Sequence, residues 1–242
     1  MRTYTYMVVA ILIAFLLSFN TVKVFSLEEV SLFLTVIGLI YGLIAAFTIN
    51  NAWERFSKIR DAIAEETSSL MVLYFIAKHL SDKANVKRLK DRLVEYCREV
   101  PELQWHEYWK SEKTHSKFRE LFGIVCSLKT KTSKDANLYI SIMEELRDAD
   151  AARTQQLVLA QTRISKSQWF LNIFLSAILT LGVSFMQIPN YGLSIFIVTS
   201  MIACVIMLIL VIYELDSMKA AENEVSEEPY RRVARIISED SI

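Results

Sequence analysis

The sequence predicts an all-α membrane protein: four transmembrane helices, with a helical cytoplasmic bundle between the second and third. Three observations predict it. Hydrophobic residues make up 53% of the 242, above the roughly 45–50% of an ordinary soluble domain. The excess is gathered into a few long apolar stretches rather than spread along the chain. Only five glycines and three prolines punctuate the sequence, too few for many strands joined by tight turns.

The elements follow in order. Residues 1–50 hold the first two spans, Tyr4 to Phe19 and Leu32 to Ile49. The Met1-Arg2 start fits a signal peptide, but "LLSFN" lacks the small-x-small pattern of a cleavage site, so a retained anchor is expected. Residues 51–168 form the bundle, continuous with the spans. In its first helix Trp53, Phe56, Ile63, Leu70, Tyr74 and Ala77 recur at helical spacing, with Arg55, Lys58, Asp61, Glu65 and Glu66 assigned to the other face. A break at Ser81-Asp82 begins a helix carrying Val86, Leu89, Leu93, Tyr96 and Val100, which "EYWKSEKT" ends. A shorter helix, Ser116 to Leu128, carries Phe118, Leu121, Phe122 and Val125. After the loop "KTKTSKD", a long helix is expected from Ala136 toward Ser165 and on, without a stop, into the membrane at Trp169. Residues 169–215 hold the third and fourth spans, Trp169 to Met186 and Leu193 to Tyr213. The polar tail, 216–242, predicts one short amphipathic helix in "VSEEPYRRVARII", capped by Ser226.

Each apolar stretch approaches or exceeds the roughly 20 residues that cross about 30 Å of hydrocarbon. Basic residues flank the bundle side of the spans: Arg55, Lys58 and Arg60 after the second, Arg153, Arg163 and Lys166 before the third. By the positive-inside bias, both termini and the bundle are expected in the cytoplasm. Net charge is zero, so no electrostatic footprint for nucleic acid exists. Cys97, Cys126 and Cys204 lie far apart and predict no disulfide framework.

Signs of catalysis are absent from the pattern. His79, His106 and His115 have no His or Cys at metal-ligand spacing. No glycine-rich phosphate loop and no nucleophile elbow occurs. The pairs Glu65-Glu66 and Glu144-Glu145 read as solvated helix faces, and "ENEVSEEP" lacks the alternation of a calcium loop. An enzyme is not expected, and neither a cofactor nor a metal is called for.

The second span carries two stripes. Gly38, Gly42 and Ala46 recur every four residues, the small-xxx-small pattern that lets helices approach closely in lipid. Beside them run Leu39, Leu43 and Phe47. Spacing leaves two readings open. The large stripe faces lipid and the small one packs within the chain, or the small stripe joins subunits while the large one faces a central axis and gates by dewetting.

"AFTINNAWERFSKIR" resembles the signature region of the bestrophin anion channels. Phe47, Asn50, Ala52, Trp53, Arg55, Phe56 and Arg60 match it in type and spacing, and a bacterial bestrophin-like branch is more similar still. The resemblance implies a homo-oligomer, a pentamer, passing small anions such as chloride. It implies a hydrophobic neck on Leu39, Leu43 and Phe47, with Gly38, Gly42 and Ala46 packing between subunits. Partners are then other copies of the chain, the bilayer and small inorganic ions. Thr48 stands where bacterial bestrophins often carry a basic residue, and "LDSMKA", with Met218 and Lys219, replaces a Pro-Phe-Gly. The acidic calcium clasp of animal bestrophins has no counterpart. Arg55 and Arg60 would either ring the pore exit or pair with acids: Glu54, Asp61, Glu66, or Glu144, Glu145, Asp148 and Asp150 of the fourth segment. The alternative function is a non-conducting scaffold or sensor whose bundle binds a partner protein.

Overall fold

The computed structural model describes residues 27–100, 112–186, 190–217 and 227–240. These residues form seven helices and no strand: α1 Leu27–Ala77, α2 Lys83–Glu99, α3 Glu112–Cys126, α4 Ser133–Gln161, α5 Lys166–Ser184, α6 Tyr191–Asp216 and α7 Glu227–Glu239. The expected first span at Tyr4 to Phe19, His106, most of "EYWKSEKT", Met218, Lys219 and the Ser226 cap lie outside the described residues.

Two compact units result. One takes α1 up to Glu54 with Arg163–Ser217; the other takes Arg55–Thr162 with α7. Among the described residues, α1, α5 and α6 are each long and apolar enough to cross a membrane. Helix α1 has 51 residues and is therefore about 77 Å long, far more than hydrocarbon requires. Its apolar part ends near Ile49, and charged residues begin at Glu54.

The first unit buries Leu34, Tyr41 and Ala45 of α1 against Leu175, Leu179 and Val183 of α5, and Val198, Ile202 and Val205 of α6. A Cβ on Gly182 would collide with the Leu34 side chain. Gly182 is thus the glycine whose missing side chain lets α1 and α5 approach. The Asn190 side chain starts α6 by accepting from the Leu193 amide at 3.2 Å.

The second unit has its own core. Ile59, Ile63, Leu70, Leu73 and Tyr74 of α1 meet Val86, Leu89, Leu93 and Tyr96 of α2, Leu121 and Val125 of α3, and Ile142 and Leu146 of α4. Helix α2 packs on α3 and α7. Tyr230, Val233, Ala234 and Ile237 form the buried stripe of α7, at the i, i+3, i+4, i+7 spacing of a surface helix. Two caps fix the turns. Thr132 and Asp135 form a capping box at α4, and Asp135 also accepts from the Ser81 amide and hydroxyl at 3.3 and 3.2 Å. Asp82 caps α2 and accepts from the Lys129 amide at 3.2 Å.

Two expectations are corrected. Helix α2 stops at Glu99, not at "EYWKSEKT", because Pro101 follows with no amide to continue it. The long fourth helix does not run on into the membrane. It ends at Gln161, and α5 starts afresh at Lys166. Ser165 and Gln168 make a second capping box there. That S-x-x-Q pattern satisfies two helix-start amides locally, so a new helix begins where an unbroken one was expected.

Candidate functional site

The α1 helix buries one face along its length. Leu34, Tyr41, Ala45, Thr48, Ala52, Arg55, Ile59, Ala62, Glu66 and Leu70 are all buried, and most are three or four residues apart, one face of a helix. Leu39, Leu43 and Phe47 lie on the far side and are 64%, 53% and 66% exposed. The small stripe divides. A Cβ placed on Gly38 would stand 3.8 Å from Leu179 Cδ2, an ordinary contact, whereas nothing lies near Gly42 and Ala46 is exposed.

The signature residues also divide. Asn50, Trp53 and Arg60 are exposed, while Arg55 and Phe56 are buried. Phe56 joins the core of the second unit. Arg55 donates through Nη1 to the Thr162 carbonyl, one of the C-terminal carbonyls that a helix end leaves without an internal partner. Arg55 therefore closes α4 at its break, and the assignment of Arg55 to a solvated face is corrected. Trp53, assigned to the buried stripe, points outward instead.

Thr48 explains why no basic residue stands at its position. It is buried, donates to the Ile44 carbonyl at 2.8 Å and accepts from Asn172 Nδ2 at 3.1 Å. A lysine or arginine there would put a charge into this neutral pair. At the start of α5, Asp216 accepts from the Ile164 amide at 2.8 Å and the Trp169 indole at 3.1 Å. It ties the end of α6 to the start of α5.

The largest surprise lies three turns beyond Arg55. Glu66, expected to be solvated, is fully buried, whereas Glu65 is exposed. Tyr96 donates to its Oε1 at 2.5 Å; Tyr230 and Gln156 Nε2 donate to its Oε2 at 2.6 and 2.7 Å. Arg153 donates to the Tyr96 hydroxyl at 3.0 Å and lies 5.0 Å from the Phe118 ring centroid. Four helices thus meet on one carboxylate. Burial pushes its pKa up, opposed by the donors Tyr230 and Tyr96, by the charge of Arg153 and by Gln156. The sequence signal is angular: Glu66 is about three turns from Arg55, on the same face as Ile59 and Ala62.

A family model, the Bestrophin-like domain, matches residues 28–230. The chain belongs to the bestrophin-like family. With three helices among the described residues apolar and long enough to cross a membrane, it is a bestrophin-like membrane protein. No curated protein and no solved structure matches it. The match extends over α1 through α6 and reaches Tyr230 in α7. Among the described residues, no group of three or more His, Cys, Asp or Glu side chains could hold a metal ion.

Proposed function

We propose that the chain assembles as a homo-oligomer, a pentamer, around a hydrophobic neck of Leu39, Leu43 and Phe47, and conducts small anions. One observation carries this reading: the three side chains are more than half exposed on the α1 face opposite its packing face. Such a stripe, repeated around an axis, makes a narrow apolar constriction that gates by dewetting. Gly42 and Ala46 stand open beside it for close contact between copies. Of the two arginines, Arg60 is the exposed one and would supply the ring of positive charge favouring anions. The basic residues Arg55, Lys58 and Arg60, with Arg163 and Lys166, support a cytoplasmic bundle and cytoplasmic termini; the likeness to the bacterial bestrophin-like branch suggests four spans in a bacterial inner membrane.

The test is direct. Purified protein in a planar bilayer carries current, and Leu43→Ala combined with Phe47→Ala enlarges it. Silence from both well-folded forms, or a monomeric mass in detergent, overturns the reading. The reversal potential under a salt gradient then decides anion against cation. A second reading is favoured by the closed core of the second unit, more structure than a bare pore wall needs. It makes the protein a non-conducting scaffold or sensor. Specific capture of a partner by full-length protein that carries no current would support it.

A further inference from the structure

We propose that Glu66, with Tyr230 donating to it, is a proton-operated latch that fastens the C-terminal helix α7 to the bundle and holds it more tightly as its surroundings acidify. The latch is independent of whether the protein conducts.

The geometry supplies a fastener with two ends. Near its start, α7 places Tyr230 on the buried Glu66 Oε2 at 2.6 Å. At its end, the Asp240 carboxylate accepts from Lys78 Nζ at 2.7 Å and from the Tyr74 hydroxyl at 3.0 Å, and the Asp240 carbonyl accepts from Lys90 Nζ at 2.5 Å. Between them Val233, Ala234 and Ile237 fill the apolar groove. Tyr230 is the α7 side chain that reaches the carboxylate, so releasing α7 removes one donor and opens a dry site to water.

The groups facing Glu66 come from three other helices. Helix α4 presents Arg153 and Gln156, α2 presents Tyr96 and the Cys97 thiol, and α7 presents Tyr230. Helix α3 adds the uncharged Phe118 ring behind Arg153. Burial is the largest influence on Glu66 and outweighs Tyr230, Tyr96, Arg153 and Gln156 together, leaving the carboxyl above its usual range. Burial and the Glu66 charge push the Cys97 thiol up as well.

The sign of the pH effect follows. With α7 docked, Glu66 binds its proton more tightly than it does when water reaches it. Docking therefore takes up a proton, and it strengthens as pH falls through the raised pKa toward the ordinary carboxylate range. The other end behaves oppositely and at lower pH. Lys78 above all, with Tyr74 and against the opposing effect of burial, holds Asp240 below its usual range, so its grip is lost only under stronger acid. Tyr74, pushed up to about 12 by burial and then Asp240, keeps its proton throughout. Across the window in which Glu66 titrates, the Asp240 end stays closed.

Hydrogen exchange on the full-length protein in lipid nanodiscs tests the latch. Amide protection in α7, corrected for intrinsic exchange, should rise on acidification through the Glu66 range, by at most about tenfold per pH unit. Protection in α6 should stay flat. Glu66→Gln, with no proton to gain, should abolish the slope. Tyr230→Phe removes a donor that favours the charged form, so the slope should persist with its midpoint moved to higher pH. A flat or inverted α7 profile in the parent protein overturns the latch, as does a Glu66→Gln variant that keeps the slope. If Glu66→Gln does not assemble, an unmoved midpoint in Tyr230→Phe overturns it equally.

Discussion

Helix α1 buries the same face twice, and what it buries differs. In the first unit that face carries Leu34, Tyr41, Ala45 and Thr48, and its polar contact is a neutral pair, Thr48 with Asn172. In the second unit it carries Arg55 and Glu66, and the contacts include a buried carboxylate with three donors and a nearby guanidinium. A charge in hydrocarbon has few groups to answer it. A charge inside a helical bundle is tolerable when several fixed donors surround it. The same helix therefore follows two polarity rules, and the change falls between Thr48 and Arg55.

The comparison predicts unequal penalties. Glu66→Ala strips the buried donors Tyr96, Tyr230 and Gln156 of their acceptor and, at about 1–3 kcal/mol for each buried group left unsatisfied, should cost the most, read by denaturant unfolding in detergent. In the first unit, Gly182→Ala forces Leu34 to move and should cost about 1–3 kcal/mol, the range for overpacking. Asn172→Ala should cost least, about 0.6 kcal/mol, the average for a hydrogen bond between membrane helices. If Asn172→Ala proved as damaging as Glu66→Ala, the contrast between the two lengths of α1 would collapse. A small Asn172 effect beside a large Glu66 effect would sharpen it.

Much of this is readable from residue spacing. The helical class, the apolar parts of α1, α5 and α6, the short α3 and the amphipathic α7 follow from periodicity that local packing does not override. The corrected expectations for Arg55 and Glu66 share one cause. Charge groups these two with Lys58, Asp61 and Glu65, but helical phase puts them with Ile59 and Ala62. Charge is a good guide to solvent exposure only while no other helix supplies partners, and Tyr96, Gln156, Arg153 and Tyr230 are distant in sequence. The break before α5 is local and legible in Ser165 and Gln168, although the apolar run beyond it masks the signal. The exposed stripe of Leu39, Leu43 and Phe47 is legible as a stripe; which surface it meets is not encoded in single-chain periodicity.

The unbroken course of α1 has a consequence for how the gene can change. The buried face keeps one helical phase from Leu34 to Leu70. One amino acid inserted between Ile59 and Ala62 would turn Glu66 by about 100° relative to Arg55, so that Arg55 could not keep Thr162 while Glu66 keeps its donors. An insertion within residues 162–164 falls outside any helix, and the Ser165 capping box would still start α5 in its own phase. Length variation should therefore damage the fold between Arg55 and Glu66 and be tolerated at residues 162–164.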